Sequence, residues 1–254
     1  MVDFLIIGAQ KAGTTAAKYN LGLHPNIFMF DGVTKFEQRE IQFFNQHWNE
    51  GKEWYYSHFN KNKNILNGEK TAELFHRSIC HHRIKKTSPN VKLILLLRCP
   101  IERAHSQWKM AYFNKKDEIR SFNDTVKQEL MLMDETYDID NFYKKYKLGI
   151  SNWRQGYLLK GNYMLQIKSL LNYFSRDNIH ICISERVRLN KEIEYNKIFN
   201  FLNISNLKFN PKEFFVSNYD QPIDKKTKDI LIDFYRKSNS ELFNFIDEEI
   251  YEWL

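Results

Sequence analysis

Short apolar runs recur along the chain and are separated by longer stretches of mixed polarity. The most hydrophobic run is Val91–Leu97, and shorter ones are found at Phe4–Ile7, Ile27–Phe30 and Ile179–Ile183, while Ile65–Thr71 begins apolar and ends polar. Aliphatic runs of this length are typical of strands buried in a parallel sheet. The pattern therefore predicts five strands, with Val91–Leu97 at the centre of the sheet.

The stretches between these runs have helical spacing. One helix begins at Pro100, and Ser106 lies off its core face, which is formed by Ile101, Ala104, Trp108, Ala111 and Tyr112. Further helices are predicted at residues 14–24, 52–59, 75–87, 121–133, 140–147, 152–159, 163–174 and 193–202, and the capping box Ser238–Glu241 predicts the start of a last one. This alternation indicates the α/β class, with a mainly parallel sheet flanked by helices on both faces, and a single domain over residues 1–254.

The turn after the first strand has the composition of a phosphate-binding loop. Gly8 and Gly13 bound it, and Thr14 and Thr15 open the following helix, whose free N–H groups favour an anion. The glycine spacing is that of a nucleoside-triphosphate loop, but the lysine that normally follows the second glycine is replaced by Thr14, and Lys11 lies three residues earlier. The sequence thus predicts a P-loop-like cradle for a phosphate other than a triphosphate; a glycine turn without a ligand is the alternative.

Polar residues follow three of the predicted strands. The glycine loop follows the first strand, Glu69-Lys70-Thr71 ends the third, and Arg98 follows Val91–Leu97. Ligands of parallel α/β sheets bind beyond the carboxyl ends of the strands. We therefore expect these residues to share one site.

Charge and cysteine content narrow the setting. The net charge of +7 suits an anionic ligand, without separating a nucleotide, a nucleic acid and a sulfated or phosphorylated sugar. The basic runs, such as Lys225-Lys226, are interpreted as solvated surface.

Three cysteines without a C-x-x-C pair indicate a reducing compartment, and the apolar run that ends at Gly8 is too short for a signal peptide or a membrane span. The expectation is a cytoplasmic protein, or a soluble domain of a larger one, without a membrane or nucleic-acid partner.

Four segments together resemble the sulfotransferases that use 3′-phosphoadenosine 5′-phosphosulfate (PAPS), in particular the heparan-sulfate-type and bacterial branch. Gly8–Thr15 resembles their 5′-phosphosulfate loop, in which lysine precedes G-T-T. The other three segments resemble the K-E-x-x-F-F, G-E-K-[ST] and L-R-x-P-x-x-R-A-x-S motifs, and they are Glu40–Phe44, Gly68–Ala72 and Leu97–Ser106. The order and approximate spacing also match, and the resemblance extends over nearly the whole chain.

The resemblance implies a sulfonate transfer from PAPS to a hydroxyl or amine of a small metabolite or saccharide, by in-line displacement. Glu40 is then the general base, Lys70 a second cation near the sulfonate, and Arg98 and Ser106 the ligands of the 3′-phosphate. Lys11 binds the 5′-phosphate and neutralises the leaving oxygen, so no metal is required. The remaining loop residues complete the cofactor site: Ala12, Gly13, Thr14 and Thr15.

Two departures from the family pattern leave questions open. Arg39 stands where the K-E-x-x-F-F motif has lysine, and the glycine-containing basic loop that often closes on the 3′-phosphate is missing before Lys225-Lys226. His47 is the alternative base. The alternative functions are a P-loop kinase or NTPase and a non-catalytic basic module for acidic glycans or nucleic acid, although no nucleic-acid motif is found. The acceptor, the choice of O- or N-sulfation and the oligomeric state stay open.

Overall fold

A computed structural model of the chain describes residues 1–31, 40–115, 118–133, 156–212 and 221–253. Two compact units are distinguished: Met1–Leu97 with Ser169–Val216, and Arg98–Lys168 with Ser217–Leu254. The single domain over residues 1–254 stays a prediction. Within the described ranges, no helix combines the length and the apolar character that are needed to cross a bilayer.

A five-stranded parallel sheet organises the first unit. The strands are β1 (Phe4–Gly8), β2 (Ile27–Met29), β3 (Leu66–Lys70), β4 (Lys92–Leu97) and β5 (Ile179–Ile183). Their order is β2-β3-β1-β4-β5, and each neighbouring pair is parallel. All five residues of β1 are buried. The predicted α/β class with a P-loop-like parallel sheet is confirmed.

Helices connect the strands. The described residues form α1 (Thr14–Leu21), α2 (Gly51–Tyr56), α3 (Ser78–Thr87), α4 (Pro100–Lys109), α5 (Phe122–Leu132), α6 (Tyr163–Leu171), α7 (Ser184–Leu189), α8 (Lys191–Leu202) and α9 (Lys225–Ile246). A π-helical turn, Met110–Lys115, follows α4. Short 3₁₀ segments lie at Trp48–Glu50, Leu159–Gly161, Arg176–Asn178 and Tyr251–Trp253.

Trp108 lies at the centre of the hydrophobic core of the second unit. It is fully buried and packs in one cluster with the predicted face of α4 and with residues of α5 and α9, namely Ile101, Ala104, Ala111, Phe122, Val126, Leu231 and Tyr235. Tyr112 is partly buried against this cluster. Ser106 is half-buried, as its position off the core face predicts. A truncation of Trp108 to alanine is expected to cost ~3–5 kcal/mol, because it removes a large buried ring and leaves a cavity.

The prediction for the last helix was wrong. Residues Lys225–Ile246 form one continuous helix, capped by the Asp224 side chain, which accepts from the Thr227 N–H. Ser238 therefore lies inside the helix, where its hydroxyl donates to Asn162 Oδ1 at 2.6 Å. Helix α7 was not among the predicted helices. The predicted helix at 140–147 lies outside the described residues, as do residues 152–155.

Candidate active site

The loop between β1 and α1 has the backbone that its glycines predict. Gly13, the residue before α1, has a φ of 89°, which favours glycine. Gly13 provides no side-chain cap at the N-terminus of α1, so a bound anion can accept from the first N–H groups of the helix. Gly8 is also constrained, because a Cβ there would lie 2.6 Å from Phe75 Cβ. Lys11 is half-exposed and has a φ of 71°, Ala12 and Thr14 are buried, and Thr15 is half-buried. The loop therefore fits a phosphate group.

Two contacts from the sheet hold this loop in place. The Ala9 N–H donates to the Leu96 carbonyl at 2.7 Å, which ties the loop to β4. The Ser184 hydroxyl, at the end of β5, donates to the Ala12 carbonyl at 2.6 Å and is 4% exposed. Ser184 was not predicted as a site residue, although its position directly after a predicted strand was an available signal. These contacts bring the loop and the end of β5 together at the carboxyl edge of the sheet.

A cluster of aromatic rings anchors the segment that carries Glu40. Phe43 stacks on Tyr55 with ring centroids 4.5 Å apart, and Phe44 meets the same ring edge-on at 5.1 Å. All three rings are buried. The Tyr55 hydroxyl in turn donates to Glu69 Oε2 at 2.5 Å. The segment is thereby attached to β3, one residue before Lys70.

Glu40 and Lys70 form an ion pair at the carboxyl end of β3. The Lys70 side chain is 8% exposed and the Glu40 side chain 18% exposed. The second Glu40 oxygen accepts from Gln42 Nε2 at 3.2 Å, and Gln42 Oε1 accepts from Asn45 at 3.0 Å. The pair is thus shielded from water and held from the Glu40 side by a short hydrogen-bonded chain.

Glu69 is a buried carboxyl group beside this pair. It accepts from the hydroxyls of Tyr55 and Thr71, at 2.5 Å and 2.6 Å. Burial raises the pKa of Glu69 to about 7; the two hydroxyl donors oppose the shift, and the Glu40 charge adds to it. The Glu69 carboxyl group is therefore partly protonated near neutral pH.

Besides Lys11 and Lys70, a third lysine of the first unit is a candidate site residue, and the sequence did not predict it: Lys18. It lies on α1, one turn after Thr14, and is 5% exposed. Its ammonium donates to Asp31 Oδ1 at 2.9 Å. Burial lowers the pKa of Lys18, the Asp31 carboxylate opposes this shift, and the charges of Lys70 and Glu40 also act on it. The signal that could have found it is the i, i+4 spacing from Thr14, which places both side chains on one helical face.

Arg98 and Ser106 belong to the second unit. Arg98 follows β4 directly and is half-buried; its Nη2 lies 3.5 Å from Glu102 Oε2. Ser106 lies on α4, beyond Pro100, which occupies the first turn as predicted. The prediction that Arg98 and Ser106 share a site with the glycine loop stays a prediction.

Two histidines near these segments, His47 and His105, pack against aromatic rings. His105 is buried, with its ring parallel to Trp108 at 5.6 Å, and burial lowers its pKa to about 4, helped by Lys109 and Arg98. It is therefore neutral at pH 7. His47, the alternative base, is half-buried with its ring 5.4 Å from Trp54. Within the described ranges, His, Cys, Asp and Glu form no group arranged to hold a metal ion.

Sequence comparison identifies the family of the chain. The profile of the sulfotransferase domain matches residues 2–241. The chain belongs to this family. Membership supports a sulfotransferase enzyme, and sulfonate transfer in general.

Individual relatives are distant. The chain is 26% identical to the Membrane-associated sulfotransferase kil1 of Dictyostelium discoideum, over 99% of this chain and 66% of the relative. It is 26% identical to the Bifunctional heparan sulfate N-deacetylase/N-sulfotransferase 4 of Mus musculus, over 99% of this chain and 31% of the relative. The chain thus spans less than two thirds of either one. The crystal structure of a sulfotransferase from Alicyclobacillus acidocaldarius has the same fold, with a TM-score of 0.74, 20% identity and coverage of 100% of this chain and 98% of that one.

Proposed function

We propose that this chain transfers a sulfonate group from PAPS to a hydroxyl or amine of an acceptor. The observation that carries the proposal is the shielded Glu40–Lys70 pair at the carboxyl end of β3, in the same unit as the glycine loop. A carboxylate held beside a cation, in the unit that also carries the glycine loop, supplies both the base and the positive charge that sulfonate transfer needs.

In the proposed reaction, the acceptor oxygen or nitrogen attacks sulfur and gives its proton to the Glu40 carboxylate. The bond between sulfur and the bridging oxygen of the 5′-phosphate breaks, and 3′-phosphoadenosine 5′-phosphate (PAP) leaves. Lys11 and the backbone of Ala12, Gly13, Thr14 and Thr15 hold the 5′-phosphate, and Lys11 neutralises the charge that grows on the bridging oxygen. Lysines supply the positive charge, so the proposal includes no metal.

Lys70 has two partners in this scheme. In the free protein it is paired with Glu40, so one of the two Glu40 oxygens is occupied. An incoming sulfonate attracts the same ammonium group. We infer that Lys70 divides its interaction between the two anions, which frees Glu40 to accept the acceptor proton as the substrate binds.

The nucleotide is proposed to be held at its other end by Arg98 and Ser106. The guanidinium group offers two parallel donors to phosphate oxygens, and the serine hydroxyl adds a third donor. Family membership argues against the alternative of a P-loop kinase or NTPase, and so does the position of Lys11 inside the loop. It argues equally against a non-catalytic basic module.

The acceptor is proposed to be a saccharide or a small metabolite. The mouse relative named above is, by its name, a heparan sulfate N-deacetylase/N-sulfotransferase, but this chain matches only 31% of its length. A cytoplasmic location is part of the same proposal and rests on the three free cysteines, Cys80, Cys99 and Cys182. A partner membrane or nucleic acid is not included.

The decisive experiment is calorimetric titration with PAP, followed by transfer of labelled sulfonate from PAPS to a panel of sugars, amines and phenols in EDTA. We expect micromolar PAP binding and label in at least one acceptor class. If ATP with Mg²⁺ binds and is hydrolysed while PAP does not bind, the kinase or NTPase alternative replaces the proposal. Tight binding of heparin or RNA without any effect of PAP supports the binding module instead.

A further inference from the structure

One buried tyrosine contacts the backbone of Arg98. Tyr163, the first residue of α6, is 0% exposed. Its hydroxyl donates to the Arg98 carbonyl at 2.7 Å, and the Arg98 N–H approaches the same oxygen at 3.4 Å. A single hydroxyl therefore contacts both polar groups of the Arg98 backbone, 65 residues away along the chain.

The backbone of Arg98 lies between two regular hydrogen-bond ladders. The β4–β5 pairing ends at Leu97, opposite Ile183. The helical ladder of α4 begins with the Arg103 N–H, which donates to the Cys99 carbonyl at 2.8 Å. Pro100 contributes no N–H group at this junction. The tyrosine hydroxyl thus contacts the chain in the short junction between β4 and α4.

The surroundings of Tyr163 fix the position of its hydroxyl. Its ring lies 5.8 Å from that of Trp253, which is 8% exposed. Two residues earlier, a Cβ at Gly161 would lie 2.7 Å from the Tyr235 hydroxyl and 2.9 Å from Pro100 Cβ, so only glycine fits there. Close packing of this kind leaves the tyrosine little freedom to turn away.

We infer that Tyr163 is a positioning residue, which fixes the turn after β4 so that the Arg98 guanidinium group is presented to the 3′-phosphate of the nucleotide. The inference rests on the proposed function, in which Arg98 binds that phosphate. A bidentate contact between arginine and phosphate depends on the angle of the planar fork, and small displacements of a positioned group cost binding disproportionately. Loss of the hydroxyl then weakens one part of the nucleotide site and leaves the rest intact.

The test uses Tyr163→Phe together with a matched control, Tyr235→Phe. Tyr235 is 1% exposed, and its hydroxyl also donates to a buried carbonyl, that of Leu158, at 2.6 Å. Calorimetry on the full chain compares PAP with 5′-AMP, which lacks the 3′-phosphate. We expect Tyr163→Phe to weaken PAP binding roughly tenfold, a hydrogen-bond-sized loss, and to leave 5′-AMP binding unchanged. Tyr235→Phe leaves both affinities unchanged, and Tyr163→Phe adds nothing in an Arg98→Ala background.

Each outcome decides a different claim. If the wild-type chain does not bind PAP more tightly than 5′-AMP, the proposed 3′-phosphate site is wrong, and the inference is lost with it. If wild type prefers PAP and Tyr163→Phe keeps the full preference, or loses PAP and 5′-AMP affinity equally, Tyr163 does not act through Arg98. If Tyr163→Phe does not fold, Trp253→Phe replaces it. That variant keeps the hydroxyl but loosens the ring contact, and it must still weaken PAP selectively for the inference to stand.

Discussion

Lys70 ends strand β3 and Arg98 follows strand β4, and each of these cations lies beside a carboxylate. Their surroundings differ. Lys70 ends β3 and pairs with Glu40, which lies 30 residues away along the chain, and the two side chains are 8% and 18% exposed. Arg98 follows β4 and lies 3.5 Å from Glu102, four residues on, in a pair whose side chains are 16% and 51% exposed. The Glu40–Lys70 pair joins distant segments and is shielded from water. The Arg98–Glu102 pair is local in sequence, and its carboxylate is exposed to solvent.

This difference assigns the two pairs different tasks. Removing one partner of a shielded pair leaves a charge without compensation and costs ~3–5 kcal/mol, whereas an exposed i, i+4 pair is worth ~0.3–0.5 kcal/mol. The Glu40–Lys70 pair is therefore expected to matter for chemistry and structure together. The Arg98–Glu102 contact is weak enough for a phosphate to replace the Glu102 carboxylate.

The largest effect is expected from Glu40→Gln. The amide keeps the shape of the side chain but cannot accept a proton, so kcat for sulfonate transfer falls by ~10²–10⁴-fold while the Kd for PAP stays nearly unchanged. Glu53→Gln, on the exposed face of α2, is the control and leaves both constants unchanged. Undiminished kcat in Glu40→Gln means that another group is the base, and His47→Gln is then the next variant to measure.

Glu69→Gln tests whether the end of β3 is as dry as the contacts indicate. The pKa of Glu69 is raised to about 7, from an ordinary 4.5, so below pH 4.5 both the folded and the unfolded chains keep this proton. As the pH rises through this window, the unfolded chain loses the proton first, so stability is progressively lost until the folded group ionises near pH 7. Glutamine cannot ionise. The free energy of unfolding of the variant, relative to wild type, is therefore expected to rise by up to ~3 kcal/mol across the window.

Chemical denaturation at several pH values measures this difference, with Glu53→Gln again as the control. Parallel stability curves for wild type and Glu69→Gln contradict the buried ionisation. The Lys70 region would then be wetter than its 8% exposure indicates, and the contrast with Arg98 would weaken.

Local patterns predicted much of this fold and its candidate residues, and the failures share a cause. Four of the five strands were recognised because a buried parallel strand is a continuous apolar run, whereas the sequence of β3 begins apolar and ends polar. The start of the last helix was misplaced because S-x-x-E is a cap only where the chain enters a helix, and Ser238 instead contacts Asn162 within the folded unit. A capping pattern and a mid-helix contact are identical in sequence.

The same limit applies to the candidate site. Glu40, Lys70, Arg98 and Ser106 were found by the motifs that carry them. Lys18 and Tyr163 were missed, because their relevance comes from neighbours that only the folded chain supplies. The pairing of Glu40 with Lys70 was also invisible, since it depends on the rings of the Glu40 segment packing on Tyr55 and on Tyr55 reaching Glu69.

Arg98→Ala is expected to have the next largest effect. Loss of the two-donor fork weakens PAP binding by ~10–100-fold, and Arg98→Lys lies in between because its ammonium group is a point charge without the planar fork. Binding of 5′-AMP is unchanged in both variants. Arg236→Ala is the matched control, since that arginine is 72% exposed beside Asp233 on α9. Equal loss of PAP in Arg236→Ala indicates that bulk positive charge, and not a 3′-phosphate site, attracts the nucleotide.

The smallest effect is expected from Glu102→Gln, which tests the solvent-exposed Arg98–Glu102 pair directly. The Glu102 side chain is 51% exposed, and its oxygen lies 3.5 Å from Arg98 Nη2, so water replaces the contact at little cost. The free energy of unfolding should change by less than ~0.5 kcal/mol.

The Glu102 carboxylate also competes with a phosphate for the guanidinium group. In Glu102→Gln the Kd for PAP should therefore stay the same or improve by up to about twofold, and the improvement should shrink as salt screens the competing charge. Calorimetry at low and high salt measures both quantities. Weaker PAP binding in Glu102→Gln contradicts the comparison, because it means that Glu102 holds Arg98 in its binding position and does not merely compete with the phosphate.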